Sequence, residues 1–214
     1  MAKRKIKRTR LELKRQRDAL RRFERYLPLL KLKQQQLQVG LNKLQARRRK
    51  ARAAVEQARE AFDRYRDVLA DTAGVDVEAL ARPEEVKTST ANVAGVNVPV
   101  FEGVTFPAVT YSLFATPAWV DRTLADLREL TRRRTEMGVL DRQDALIRHE
   151  LTRVIQRVNL FEKIKIPACR ENIRVIRIAL GDEMTAAVVR AKIAKAKLAE
   201  VEHGPPGAAA EEAA

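Results

Sequence analysis

The side chains able to do chemistry are few and scattered. Cys169 is the one cysteine, and the two histidines, His149 and His203, lie far apart. A single cysteine cannot form an intrachain disulfide, and it fits a reducing compartment. Two distant histidines with no cysteine at ligand spacing do not make a metal set. The carboxylate pairs Glu84-Glu85 and Asp182-Glu183 sit in polar stretches, where solvated helix ends and faces account for them. Neither a Gly-x-x-x-x-Gly-Lys-Ser/Thr phosphate loop nor a Gly-x-Gly-x-x-Gly turn occurs. These residues predict a non-catalytic chain with no cofactor and no metal.

Cationic side chains are what the sequence has in quantity. The 214 residues carry a formal net charge of +15, distributed unevenly. Residues 1–52 have a net charge of +17, residues 53–130 of −6, and residues 131–214 of +4. The densest run is Arg47-Arg48-Arg49-Lys50, and a second group, Lys192, Lys195 and Lys197, lies near the C-terminus. Such a basic end suggests a polyanionic or acidic partner. Nucleic acid is the obvious polyanion. Against it, the cations are spread around a helix that also carries an apolar seam, no aromatic platform interleaves them, and no known binding motif appears. A basic coiled-coil scaffold is the other alternative.

The elements that would position these cations are long helices. From Leu13 to Leu69, apolar residues recur at steps of three and four, including Leu20, Phe23, Leu27, Leu30, Leu37, Leu41, Leu44, Val55, Phe62 and Leu69. Only Gln16, Gln34 and Arg48 interrupt that register with polar side chains. A 3.5-residue spacing places one narrow apolar stripe on one side of a helix, and the stripe must be buried against another helix. The pattern predicts an N-terminal coiled-coil helix over 8–71, roughly 90 Å long over its continuous part at 1.5 Å per residue. Pro28 lies inside it, and because Leu27 and Leu30 keep the register, a bend without a stop is expected there. Gly40 is a weak point worth about 1 kcal/mol relative to Ala.

Residues 72–116 read as a central head. Asp76 to Ala81 fits a short helix. Alternation of Val96, Val98 and Val100, and the β-prone run through Tyr111 and Leu113, predict a β-hairpin with strands near 94–100 and 108–113 and Glu102-Gly103 between them. Thr116-Pro117 then starts a second helix, with a seam through Leu127, Leu130, Arg134, Met137, Leu140, Ile147, Leu151, Val154, Val158 and Phe161. Pro167 should kink it, after which the pattern resumes at Ile173, Ile176 and Leu180 and continues to Leu198. This helix spans 117–202, and 203–214 reads as a disordered, low-complexity tail. The fold class is therefore mainly α. The two terminal helices form a long antiparallel coiled coil, with a small central region containing a short helix and a β-hairpin. No apolar run reaches the ~18 residues needed to span a bilayer, and Met1 to Arg10 lacks the apolar centre of a signal peptide.

Several stretches together resemble a known family. They are Thr9-Arg-Leu-Glu-Leu-Lys-Arg, Leu29-Leu-Lys-Leu-Lys, Gly95-Val-Asn-Val-Pro-Val, and Tyr111-Ser-Leu-Phe-Ala-Thr-Pro-Ala-Trp-Val-Asp. The later ones are Arg157-Val-Asn-Leu-Phe-Glu-Lys-Ile-Lys-Ile-Pro, Glu171-Asn-Ile-Arg-Val-Ile-Arg-Ile and Leu180-Gly-Asp-Glu. Their order over roughly residues 5–200 is similar to the D subunit of the V-type (vacuolar, archaeal and bacterial) rotary ATPases. The resemblance implies a central rotor stalk, peripheral to the membrane on the cytoplasmic side. Its terminal helices would enter the hexamer of A and B subunits. Its head would meet the small F subunit and the socket subunit (C or d), with no nucleic acid and no membrane insertion of its own. On that basis Arg47, Arg48, Arg49, Lys50, Lys192, Lys195 and Lys197 are expected to face acidic loops of the hexamer. Val96, Val98, Val100, Tyr111 and Leu113 are expected either to dock the F subunit or simply to cap the coiled coil.

Overall fold

A computed structural model describes residues 6–64, 76–108, 116–117 and 119–202. The elements run α1 (Arg10–Asp63), α2 (Val77–Ala81), β1 (Glu85–Val93), β2 (Val96–Thr105), α3 (Trp119–Asn159), a π-helical turn (Leu160–Lys165) and α4 (Ile166–Glu202). Of the expected features, Leu69 of the first seam, Tyr111, Leu113 and the tail lie outside the described residues. The chain divides into two compact units, residues 1–28 with 159–214, and residues 29–158.

In the first unit the N-terminal part of α1 packs on α4. Thr9 Oγ1 accepts the Glu12 backbone N–H and caps α1. Asn172 bonds Gln16, Arg170 pairs with Glu24, and the Phe23 and Phe161 rings lie 4.9 Å apart at 52°. Rising numbers on α1 meet falling numbers on its partner, so the pair is antiparallel. Ile166, Cys169, Ile173 and Ile176 are buried along the contact. From Phe161 to Ile166 the seam takes a step of five, where the flanking steps are three and four. The π turn houses the extra residue, and the Ile166 N–H bonds the Phe161 carbonyl five residues back. The sequence suggested a kink near Pro167. The irregularity precedes it, in the turn where the proline removes a backbone donor and crowds the carbonyl four residues earlier.

Past Leu180 every described side chain of α4 is exposed, including Met184 and Leu198. The seam was expected to stay covered as far as Leu198, and it does not. With Gln16 level with Asn172 and α1 beginning at Arg10, the antiparallel partner ends within a turn or two of Leu180.

In the second unit, the continuation of α1 packs on α3. Leu37, Leu41 and Leu44 are buried, as are Leu130, Val139, Leu140, Ile147, Leu151, Val154 and Val158. Lys33 with Glu150, and Arg48 with Asp141, show this pair to be antiparallel as well. Arg134, placed in the seam by its spacing, is exposed. Val139 and Gln143 are buried in addition, because α3 also carries the hairpin. The Gln143 amide donates to the Pro99 carbonyl.

The hairpin lies earlier in the chain than its valine alternation suggested. β1 and β2 pair antiparallel with Val93 opposite Val96, so the turn is Ala94-Gly95 and not Glu102-Gly103. Ala94 (φ 50) and Gly95 (φ 81) both occupy the left-handed region, as a two-residue type I′ turn requires. Asn92 closes it, accepting the Gly95 N–H and bonding Asn97. A bulge falls where Lys87 faces Gly103 and Thr88 faces Phe101, leaving Glu102 as the extra residue. The hairpin rests on α1 at Gly40, where an added Cβ would come within 3.0 Å of Val93 Cγ1. Asp76 caps α2 by accepting the Ala79 N–H. The Arg128 guanidinium ties α2 and the strand exit to α3, donating to the carbonyls of Leu80 and Pro107 and lying 5.3 Å from the Phe106 ring.

Candidate partner-binding surfaces

The run Arg47-Arg48-Arg49-Lys50 is not one patch. A helix turns about 100° per residue, so four consecutive side chains point in four directions. Arg47, Arg49 and Lys50 are exposed. Arg48 turns inward, with Nη2 2.5 Å from Asp141 Oδ1 and Nη1 3.5 Å from Asp144 Oδ2. Arg148 Nε holds the same Asp144 oxygen at 2.5 Å. Arg48 Nε and Asp144 Oδ1 are buried without a hydrogen-bond partner. This charged layer interrupts the apolar seam. Asp141 and Asp144, three residues apart on α3, went unnoticed in the sequence, although the polar break at Arg48 signalled that a counter-charge had to exist.

A second ion pair lies further along the same helices. Lys33 Nζ donates to Glu150 Oε1 at 2.9 Å. That bond, with the charges of Lys33, Arg153 and Arg157, holds the Glu150 carboxyl below the usual glutamate range against an opposing effect of burial. In the first unit, burial pushes the Cys169 thiol up, and Lys165 offsets this only in part. A buried, neutral thiol suits packing and not nucleophilic chemistry.

Lys192, Lys195 and Lys197 are exposed on the uncovered end of α4, alongside the exposed apolar side chains Val188, Val189 and Ile193. Of the three valines read as a docking face, Val98 is only 2% exposed, and Val96 and Val100 are half-buried. The exposed hairpin side chains are Glu85, Val86, Lys87, Thr88, Thr90, Asn92, Asn97 and Glu102. Among the described residues no cluster of His, Cys, Asp and Glu fits a metal ion. No described helix is long and apolar enough to cross a membrane.

These surfaces suit binding to other macromolecules. A family model for the D subunit of ATP synthase matches residues 12–196. The V-type ATP synthase D subunit of Borreliella burgdorferi is 36% identical over 194 residues, covering 91% of this chain and 95% of that one. The protein of the same name from Chlamydia felis is 32% identical over 180 residues, covering 84% and 86%. The one from Chlamydia muridarum is 32% identical over 194 residues, covering 90% and 96%.

Proposed function

The chain belongs to the D-subunit family of V-type ATP synthases, and from that premise we propose that it is the non-catalytic central shaft of its complex. It transmits torque between a catalytic hexamer of A and B subunits and the ion-translocating ring in the membrane. The F subunit and the socket subunit hold it at the other end, on the cytoplasmic side.

The observation that carries this reading is the division of labour between seam and surface. Aliphatic side chains and two interhelical ion pairs lock the helices to each other within the second unit. Outside, Arg47, Arg49 and Lys50, with Lys192, Lys195 and Lys197, stay exposed. A shaft needs that combination. Its inside resists slippage, and its outside makes exchangeable contacts, because solvated ion pairs are individually worth only about 0–1 kcal/mol. The exposed cations face acidic loops of the hexamer in this reading.

The test is reconstitution with the A, B and F subunits and a single-molecule rotation assay. Wild-type chain should assemble and turn under ATP. The triple reversal Arg47→Glu, Arg49→Glu, Lys50→Glu should weaken assembly or slip under load. Full assembly and unchanged torque in that variant would refute the role given to these cations.

A further inference from the structure

The apolar seam of the second unit repeats too regularly to choose its own alignment. On α1, Leu30, Leu37 and Leu44 stand seven residues apart, and on α3 so do Leu140, Ile147 and Val154. Sliding one helix past the other by seven residues, about 10 Å at 1.5 Å per residue, sets leucine against an aliphatic side chain again. The seam contacts alone barely distinguish the aligned pair from either slipped one.

The ion pairs do distinguish them. Arg48 meets Asp141 and Asp144, and Lys33 meets Glu150. A slip of seven in one direction puts Arg134, Met137 and Gln143 where Asp141, Asp144 and Glu150 stand. A slip in the other direction puts Arg148, Leu151 and Arg157 there. Both slips take these carboxylates away, and both bring a second guanidinium to Arg48. For Asp144 the exchange is as unfavourable, because Leu41 or Val55 replaces Arg48. A carboxylate whose side chain is 11% exposed would then meet hydrocarbon.

We propose that Arg48, Asp141 and Asp144 are a register key, which holds α1 and α3 in one axial alignment by penalising the slipped ones in both directions. One polar layer in an apolar seam is enough to fix register in a coiled coil. Such a layer adds little net stability, because desolvation offsets the attraction. What it supplies is the exclusion of other alignments. The use of the key rests on the shaft reading above: twisting a pair of supercoiled helices shears one along the other, and the key resists that shear.

The test places spin labels at Glu56→Cys on α1 and Gln156→Cys on α3, both exposed positions, in the full chain carrying Cys169→Ala. The labels flank the two ion pairs at opposite ends, so a slip of seven changes their separation by about 10 Å, read by pulsed electron resonance. The native layer should give one distance. Arg48→Met with Asp144→Leu should add a second, displaced by about 10 Å, in at least about a tenth of the molecules. Leu44→Ala weakens the seam but leaves the key, and should keep the single distance. Circular dichroism establishes that each variant is folded. Should the keyless variant fail to fold, Arg48→Gln with Asp144→Asn removes the charges at nearly constant volume and carries the same expectation. A single distance in the keyless chain assigns the register to the hairpin or the connecting chain and overturns the proposal, as does a second distance in Leu44→Ala. Assembled with the A, B and F subunits, the keyless chain should stall at a lower load than wild type, and an unchanged stall load overturns the role given to the key. A wild-type chain that does not turn in that complex refutes the shaft reading and leaves the register result standing.

Discussion

Replacing Arg48 by Met should destabilise the second unit by about 2 kcal/mol. The magnitude follows from what remains behind. Asp144 has a side chain only 11% exposed, whereas Asp141 is 47% exposed and can recover water. Breaking a fully buried pair costs roughly 3–5 kcal/mol, because one charge is left without compensation. Here Arg148 still holds Asp144 Oδ2, and Arg48 is itself 31% exposed, so the loss should fall below that range. Adding Asp144→Leu to Arg48→Met removes the orphaned charge, so the double variant should recover much of the stability. Two buried groups that already lack partners, Arg48 Nε and Asp144 Oδ1, also disappear in that variant. The assay is equilibrium urea unfolding of both single variants and the double, read as a double-mutant cycle. A coupling energy of about 1–2 kcal/mol is expected. An Arg48→Met variant within about 0.5 kcal/mol of wild type, or a coupling near zero, would refute the reasoning.

Glu150→Gln should remove part of the acid sensitivity. A carboxyl held below its ordinary range stabilises the fold at neutral pH, and that contribution disappears as pH falls from about 4.3 through the depressed folded value. The variant should be less stable than wild type at pH 7 and should converge with it in acid, as measured by thermal melts across pH. Gly40→Leu should cost about 2 kcal/mol despite the better helix propensity, because Val93 already occupies the space, and urea unfolding reads it. Arg128→Ala removes the donors to Leu80 and Pro107, so amide exchange at Leu80 and Ala81 should rise well before the long helices are affected.

The parts of the fold legible in the sequence are those set by local repetition. Leu37, Leu41 and Leu44 are buried because a 3.5-residue period leaves them no other side to occupy. The hairpin was harder to locate. Val96, Val98 and Val100 do alternate as a strand should, but the β-prone run after Glu102-Gly103 suggested the second strand at 108–113 and put Ala94-Gly95 inside the first. Ala is a poor residue for a positive φ, costing roughly 1–2 kcal/mol, so the true turn lacked its usual Asn or Asp signal. The basic run misled for a different reason. Its four residues are one cluster in sequence, but helical rotation sends Arg48 into the seam and the rest into solvent.

The uncovered end of α4 has a consequence for heredity. From Gly181 onward every described side chain is exposed, so packing within this chain places little constraint on which residues stand there. The stretch is nevertheless rich in alanine, at Ala186, Ala187, Ala191, Ala194 and Ala196, the residue that favours helix without help from packing. Substitutions there will be filtered by the helix they must sustain and by whatever surrounds it in the assembled enzyme. The pace of change along α4 should therefore shift near Leu180, with folding governing one side of that point and assembly the other.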